Sequence, residues 1–462
     1  MTRARLPGLL LGTVVVAAGL AAAGQLMPRS APEPKPIMVG AVFPLGGSTG
    51  PLAQQEALGV RIAAELVNAD GGIGGRPITL DVRNLERAQD APALMVALRR
   101  EGAQVVIGAY ASDLSIAASA GAADAGLVYW EAGAVADRLT GRGLPMVFRV
   151  GASGTNLGSN SAAFAATQLA PRLGKPTAGL RLAIVAADDD YARSVADAAA
   201  REAATAGAPV VLRTTYNLTL PRWPQLMARL ATARPDVIIL ASHIPDGIAF
   251  RRAMLAAKLK VGALIGSTMA ECDPDFAGDL GADAVGIFAS DRPTAGFQPS
   301  VLSSEARATY ERLAAAWLKE GGPAPVSSPD TSSEYGANQN GAGQDEEYAI
   351  NGPMLSGSSG PTEEGLSGFS AAWALFHDVL PAASGRGALD AEGIASAARA
   401  INLPVGSLPN GAGIRFSSDP ATLGQNLRAT AVIWQWQAVR SYTFVWPPSY
   451  ATGSIAMVPL PR

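Results

Sequence analysis

Residues 37–82 read IMVGAVFPLGGSTGPLAQQEALGVRIAAELVNADGGIGGRPITLDV, and this stretch decides the fold class. Residues 37–43 form an apolar run without alternation, the pattern of a strand covered on both faces. Residues 54–70 then carry apolar and Ala positions at helical spacing, closed by the glycine stops Gly71-Gly72 and Gly74-Gly75. A second short apolar run, 78–82, follows. Strand, helix, glycine turn and strand make a β-α-β unit, because parallel neighbours need a crossover of this length. The glycines follow a helix and precede a strand, the reverse of a phosphate-cradling loop, so they read as a helix stop.

The same unit recurs outward along the chain. Strands are expected at 104–109, 127–130, 182–187, 209–216, 237–241, 263–266 and 285–289, and helices at 90–101, 112–125, 156–173, 191–206, 224–233 and 246–258. One sheet of so many strands would be unusually wide, which implies two. Periodicity breaks at 148–158, a Gly- and Ser-rich stretch read as a crossing between lobes, and again at 290–299. Residues 321–364 depart in composition, being rich in Gly, Ser, Asn, Asp and Pro, and read as a polar insertion. Its acidic run Asp345-Glu346-Glu347 reads as solvated loop carboxylates in preference to a cation site. Helical patterns return at 365–379 and 391–401, and strands at 429–437 and 442–446. The expected fold is α/β, with two Rossmann-like lobes of parallel sheet flanked by helices. Lobe 1 comprises 37–153 and 292–425, including the insertion 321–364. Lobe 2 comprises 154–291 and 426–462.

Composition supports folded lobes and narrows the function. Of 462 residues, 48% are hydrophobic and 16% charged, enough apolar surface for sizeable cores. Lys and Arg number 36 against 39 Asp and Glu, a net charge of −3, so the chain as a whole carries no electrostatic footprint for nucleic acid. One cysteine, Cys272, and two histidines, His243 and His377, are too few for the common disulfide or zinc arrangements. Arg3 and Arg5 precede an apolar run ending in Ala21-Ala22-Ala23, the layout of a secretory signal peptide over 1–23, followed by a Pro-rich linker over 24–36. An uncleaved anchor is the alternative, but Pro7, Gly8, Gly12 and Gly19 interrupt the run and favour cleavage. The chain is therefore expected to be exported.

These segments resemble the type I periplasmic solute-binding proteins of ABC transporters, in particular the branched-chain amino acid-binding (Leu/Ile/Val-binding) family. The resemblance spans about residues 37–448. It is carried by Val39 to Leu45, by Gln55-Glu56-Ala57-Leu58-Gly59, and by Asn68 to Pro77. Further matches are Val105 to Gly108 with Ser112 after it, Arg138 to Gly143 ahead of Phe148-Arg149, and Asp189-Asp190-Tyr191-Ala192. The resemblance implies two lobes joined by three hinge crossings that close on a small solute, with ABC permease and ATPase subunits performing the transport. It also implies a monomer without cofactor or metal. A ligand-sensing subunit that presents its closed form to a membrane receptor, and a cleft hydrolase, are the alternatives.

Candidate ligand-binding residues follow from the same matches. Ser112, after a strand and at a helix start, resembles the family's carboxylate-binding serine; a hydroxyl beside unpaired helix N–H groups suits an anion, although a plain helix-cap serine has the same position. Glu131, Gly133 and Val135 occupy the next strand-end loop, where Val135 replaces a hydroxyl residue. Glu131 is open to two readings, a receptor for an ammonium or amide and a structural ion-pair partner. Tyr191 matches an aromatic cover for the ligand, and His243 stands where another such aromatic is expected, with a purely structural role as its rival. Thr268 falls where amino-acid binders keep an acid for the ammonium group, so that clamp is altered, with Glu271 as a substitute or a ligand that lacks an ammonium. Phe369 retains aromatic character near the cleft, while Leu52 replaces an aromatic at its mouth. Asp113, Trp130 and Ala134 are second-rank candidates, and Tyr110 and Trp130 read as core aromatics shaping one wall.

Catalysis has little support in the sequence. There is no G-x-S-x-G elbow, and Asp188-Asp189-Asp190 at a strand end reads as solvated or helix-capping carboxylates in preference to a metal cluster.

Overall fold

The computed structural model describes residues 1, 34–47, 49–267, 274–322, 360–439 and 441–461. All but the first residue of the expected signal peptide, most of the linker, Thr268, Glu271, Cys272 and most of the polar insertion lie outside the described residues. No helix among the described residues is long and apolar enough to cross a membrane.

The first sheet begins with β1 (Ile37–Phe43), α1 (Gly50–Ala69), β2 (Ile78–Asn84), α2 (Ala91–Arg100) and β3 (Val105–Gly108). It is completed by α3 (Ser112–Asp124), β4 (Val128–Glu131) and β5 (Val147–Arg149), in the order β2-β1-β3-β4-β5 with every pair parallel. The chain then enters the second lobe through α4 (Gly154–Phe164), which continues as a π-helical stretch into the one-turn α5 (Ala170–Arg172). There follow β6 (Leu182–Ala187), α6 (Asp190–Ala206), β7 (Val210–Tyr216), α7 (Trp223–Ala233) and β8 (Val237–Ala241). Next come α8 (Ile244–Ala256), β9 (Ala263–Ser267), α9 (Pro274–Leu280) and β10 (Phe288–Asp291).

A return to the first lobe supplies α10 (Ser304–Lys319), α11 (Glu363–Trp373), α12 (Leu380–Ser384) and α13 (Ala391–Ala400). Finally β11 (Val432–Ala438) adds antiparallel to β10 and β12 (Ser441–Trp446) antiparallel to β11, giving the order β12-β11-β10-β9-β8-β6-β7. The chain therefore passes between the sheets three times.

The central strands of both sheets are buried along their whole length, which explains their uninterrupted Val, Ile, Leu and Ala runs. Helix α1 lies against α11 at close range: a Cβ on Gly59 would stand 2.2 Å from the Gly365 carbonyl oxygen. The first and third crossings are riveted together. Arg149, 1% exposed, donates from Nε to Gln425 Oε1 at 2.6 Å and from Nη1 to the Ala136 carbonyl at 2.6 Å. Asn426 Nδ2 donates to the carbonyls of Val150 and Gly413, both at 2.9 Å. Burial presses the Arg149 guanidinium down to about 10, against the pull of Asp137 and Glu131.

Four elements differ from the sequence reading, one of them α9, for which no helix was expected. Strand β5 lies where a crossing was expected to begin; three residues are too short to show a period, and it is held by pairing with β4. Helix α10 was not anticipated, although Tyr310, Leu313, Ala314 and Trp317 are buried at helical spacing and Ser303 caps its start. The strand expected at 285–289 is β10, displaced to Phe288–Asp291, because its register follows β9 and β11.

Candidate functional site

A cavity of about 430 Å³ lies between the lobes at the carboxyl ends of the parallel strands. That is where open α/β sheets bind ligands, since the loops after the strands converge there. Lobe 1 contributes Thr49 after β1, Tyr110 to Asp113 after β3, and Gly133 with Val135 after β4. Lobe 2 contributes Asp189, Asp190, Tyr191 and Arg193 after β6, Leu218 after β7 and His243 after β8. Arg292, just past β10 on the second crossing, completes the wall.

Ser112 is the first residue of α3, and its Oγ accepts the Ala136 N–H at 3.2 Å. The hydroxyl proton therefore remains to be donated, beside the first-turn N–H groups that a helix leaves unpaired. Tyr110, at φ 66°, turns the chain into this helix and forms part of the wall while only 7% exposed. Gly133 has no side chain for a steric reason: a Cβ there would stand 2.1 Å from Glu56 Oε2.

The opposite wall is more polar than its Ala-rich sequence suggests. Asp189 caps α6, accepting the Ala192 N–H at 2.8 Å, and meets His243 Nε2 at 2.5 Å. Burial opposes the charge on both groups, but their mutual hydrogen bond and attraction prevail, lowering the Asp189 carboxyl and raising the His243 imidazole from its ordinary range. Tyr191, 4% exposed, places its hydroxyl 2.9 Å from the Ser242 carbonyl and 2.8 Å from that of Ser267, and its ring meets the His243 edge at 5.1 Å. Asp190 joins the lobes: it accepts from Arg138 of lobe 1 at 2.9 Å and from Arg193 at 3.1 Å.

Arg292 anchors the floor. It is 5% exposed, pairs with Glu363 through Nε to Oε1 at 2.5 Å, and donates from Nη1 to the Gly133 carbonyl at 2.5 Å. Burial disfavours its charge, yet Glu363, Asp291, Glu56 and Glu364 outweigh that and hold it protonated. Glu56 is fully buried nearby, with neither carboxyl oxygen hydrogen-bonded among the described residues. Desolvation first, then Glu131 and Glu363, push its carboxyl well above the usual range against the pull of Arg292.

Of the residues singled out from sequence, Ser112, Gly133, Val135, Tyr191 and His243 meet at this one cavity. Glu131 is not on the wall but behind it. It is fully buried, with Oε1 accepting from the Gly133 and Ala134 N–H groups at 2.8 Å and Oε2 from the Tyr129 hydroxyl at 3.1 Å, so it holds the loop's shape. Phe369 is also off the wall, because α11 turns its ring, 0% exposed, onto Trp373 in a stack at 5.5 Å. Leu52 is buried in α1, and Thr49 takes the place at the mouth. Trp130 is a core residue, donating to the Ala371 carbonyl at 2.8 Å. Sequence reasoning missed Arg292, whose partner Glu363 is 71 residues away, and it passed over Arg193 and Leu218.

Two lobes, one built on a parallel sheet and one on a mixed sheet with a parallel centre, three crossings and a cavity at the strand ends define a type I periplasmic solute-binding architecture. The chain belongs to the periplasmic binding protein family, whose model matches residues 36–337. It is 28% identical over 420 residues to "Leu/Ile/Val-binding protein homolog 8" of Brucella abortus (strain 2308), covering 90% of this chain and 91% of that protein. It is 30% identical over 246 residues to "Leu/Ile/Val-binding protein homolog 7" of Brucella melitensis, covering 52% and 61% of the two chains. Among solved structures, it shares its fold with a putative branched-chain amino acid ABC transporter protein of Silicibacter pomeroyi, at TM-score 0.66 and 20% identity over 92% of this chain and 100% of that one. An isoleucine complex of the branched-chain amino acid transporter substrate-binding protein from Streptococcus pneumoniae gives TM-score 0.63 at 17% identity, covering 89% and 100%. A benzoate complex of a solute-binding protein from R. palustris gives TM-score 0.63 at 18% identity, covering 91% and 98%.

Proposed function

We propose that this chain is the substrate-binding component of an ABC importer of the branched-chain amino acid type. It captures a small amphipathic carboxylate or amide between its lobes and presents the closed form to a membrane permease and its ATPase. The observation that carries the reading is the cavity between the lobes: a hydroxyl donor at a helix amino end on one wall, and Tyr191, Leu218 and His243 on the other. An anionic end is received at Ser112 and α3, while an apolar body lies between Tyr110 and Val135 on one side and the lobe 2 side chains on the other. Binding that touches both lobes favours the closed state, because only that state makes both sets of contacts. The family, together with the signal-like amino terminus, supports action in the periplasm.

The isoleucine-bound and benzoate-bound relatives share this fold, so the solute is set by local wall chemistry. Thermal melts of the protein with amino acids, their des-amino acids, amides and benzoate test the reading. A solute present at a hundredfold excess over its Kd stabilises the fold by about 2.7 kcal/mol and raises the melting temperature in proportion. If no member of the panel raises the melting temperature at millimolar concentration, the reading fails.

A further inference from the structure

The solute cavity lies at the carboxyl ends of the strands, and at the opposite pole of lobe 2 the loops that lead into the strands gather positive charge. Arg172, Lys175 and Arg181 precede β6, Arg234 precedes β8, and Lys258 and Lys260 precede β9. These strands are neighbours, in the order β9-β8-β6. Their entry loops are tied together at Asp236, whose N–H donates to the Arg181 carbonyl at 2.7 Å and whose carbonyl accepts the Gly262 N–H at 2.7 Å. Lys175 is half-buried, and the other five cations are exposed.

Local acids leave most of this charge uncompensated. Asp236 is the one acid in these three loops, and its carboxylate is taken by Lys175 Nζ at 2.7 Å and by the Arg181 N–H at 2.8 Å. Toward β10, Asp283 faces Arg251, and Asp279 pairs with Arg252 at 3.5 Å. Helix-end capping explains part of the cluster, since Arg181 donates to the Ala233 and Arg234 carbonyls that end α7, and Arg172 sits in the last turn of α5. It does not explain Lys260, which stands past the end of α8 and, like Arg234 and Lys258, has no hydrogen-bond or ion-pair partner among the described residues. The corresponding loops of lobe 1 mix their signs, with Asp70 and Arg76 before β2 and Glu101 beside Arg99 and Arg100 before β3. The turn between β11 and β12 reaches the same pole of lobe 2, and its Val439 is 48% exposed.

We propose that the pole of lobe 2 opposite the cavity docks on a membrane surface that carries anionic phospholipid headgroups. Each exposed Lys or Arg gains from the headgroup phosphates it approaches, and an exposed apolar residue at the edge of the cluster adds contact with the headgroup layer. Five exposed cations on three loops suit a diffuse negative surface better than a single protein carboxylate. Docking here leaves the cavity, at the other ends of the strands, free to open and close. The choice of a membrane rests on the importer reading, but the test uses no solute, so the two can fail separately.

Vesicle co-sedimentation tests this with residues 24–462, because the apolar run of the expected signal peptide would itself enter lipid and the compact unit begins at Pro36. At low ionic strength the parent should bind phosphatidylglycerol vesicles about tenfold or more better than phosphatidylcholine vesicles, and should come off at about 0.5 M salt. Arg234→Glu, Lys258→Glu and Lys260→Glu together should lower that binding about tenfold or more. A triple variant of equal charge change on lobe 1, Arg100→Glu, Lys319→Glu and Arg386→Glu, should bind as the parent does. A parent that does not bind phosphatidylglycerol, a pole variant that binds undiminished, or an equal loss in the lobe 1 variant overturns the proposal. If the pole variant melts early, Lys258→Gln with Lys260→Gln carries the same comparison on two exposed side chains, and unchanged binding there overturns it. A parent that ignores vesicles but is retained on immobilised polyglutamate, when the pole variant is not, assigns the surface to an acidic protein and overturns the lipid assignment as well.

Discussion

Arg292→Met removes the one cation among the described residues that serves both the buried acid cluster and the cavity floor. Its guanidinium sits between Glu363, 6% exposed, and the Gly133 carbonyl, with contacts of 2.5 to 3.0 Å. Breaking a buried pair by removing one partner costs about 3–5 kcal/mol, since the remaining charge is left uncompensated. Glu363 has a way to limit that cost. Burial already raises its carboxyl well above the ordinary range, while Arg292 is what pulls it down. Without Arg292 it takes up a proton, at about 1.4 kcal/mol for each pH unit above the ordinary carboxyl value. The deficit should therefore be small near pH 5 and grow toward pH 8. At roughly 2–4 °C per kcal/mol, the melting temperature at pH 8 falls by about 6–20 °C. Thermal melts by circular dichroism from pH 5 to 8 measure this, and a second variant, Arg292→Met with Glu363→Gln, should recover at least half of the loss. A single variant that melts within about 1 °C of the parent at pH 8, or a double variant no better than the single, would refute the reasoning.

Ser112→Ala removes a donor to a charged group, so affinity for any carboxylate solute found by the melting screen should fall about 10- to 100-fold in calorimetry; unchanged affinity takes Ser112 out of the site. His243→Gln tests the pair with Asp189. The imidazole is raised in the folded state, so its stabilisation is complete below its ordinary value and is lost as pH rises through the raised one. Asp189 is lowered, so its share is lost only as pH falls through its depressed value. The parent should thus lose melting temperature on the alkaline side of about pH 6.5, and His243→Gln should fall less steeply there than the parent. Glu56→Gln is expected to stabilise at neutral pH: the unfolded chain releases this proton near 4.5 while the folded chain retains it, so parent stability declines above that pH more steeply than the variant's. A variant that melts lower than the parent at pH 8 would contradict a protonated Glu56.

How far each feature was legible depended on the range of the interaction behind it. The parallel strands announce themselves because burial on both faces forces an unbroken apolar run, as in residues 182–187 and 237–241. Their helices follow from 3.6-residue spacing and from caps such as Asp189. Strand β5 has no such signature in three residues, and α10 was overlooked beside a composition break although its pattern is present. At the site, Ser112, Gly133, Val135, Tyr191 and His243 could be picked out because strand-end loops face the cleft in any such sheet. Glu131 and Phe369 could not be sorted from them, because sequence does not say whether a strand-end carboxylate faces outward or folds back onto its own loop, nor which way α11 is rolled against α1.

The amino-acid sequence by itself determined the alternation of strand and helix, the need for two sheets, and the family, since these follow from local periodicity and contiguous motifs. Only the tertiary structure decided which charges meet. Arg292 pairs with Glu363 across 71 positions, Arg138 reaches Asp190 on the other lobe, and Asp113 is left facing the cavity without a partner among the described residues. Pairing energies depend on distance and desolvation in three dimensions, and neither is encoded in the spacing of residues along the chain.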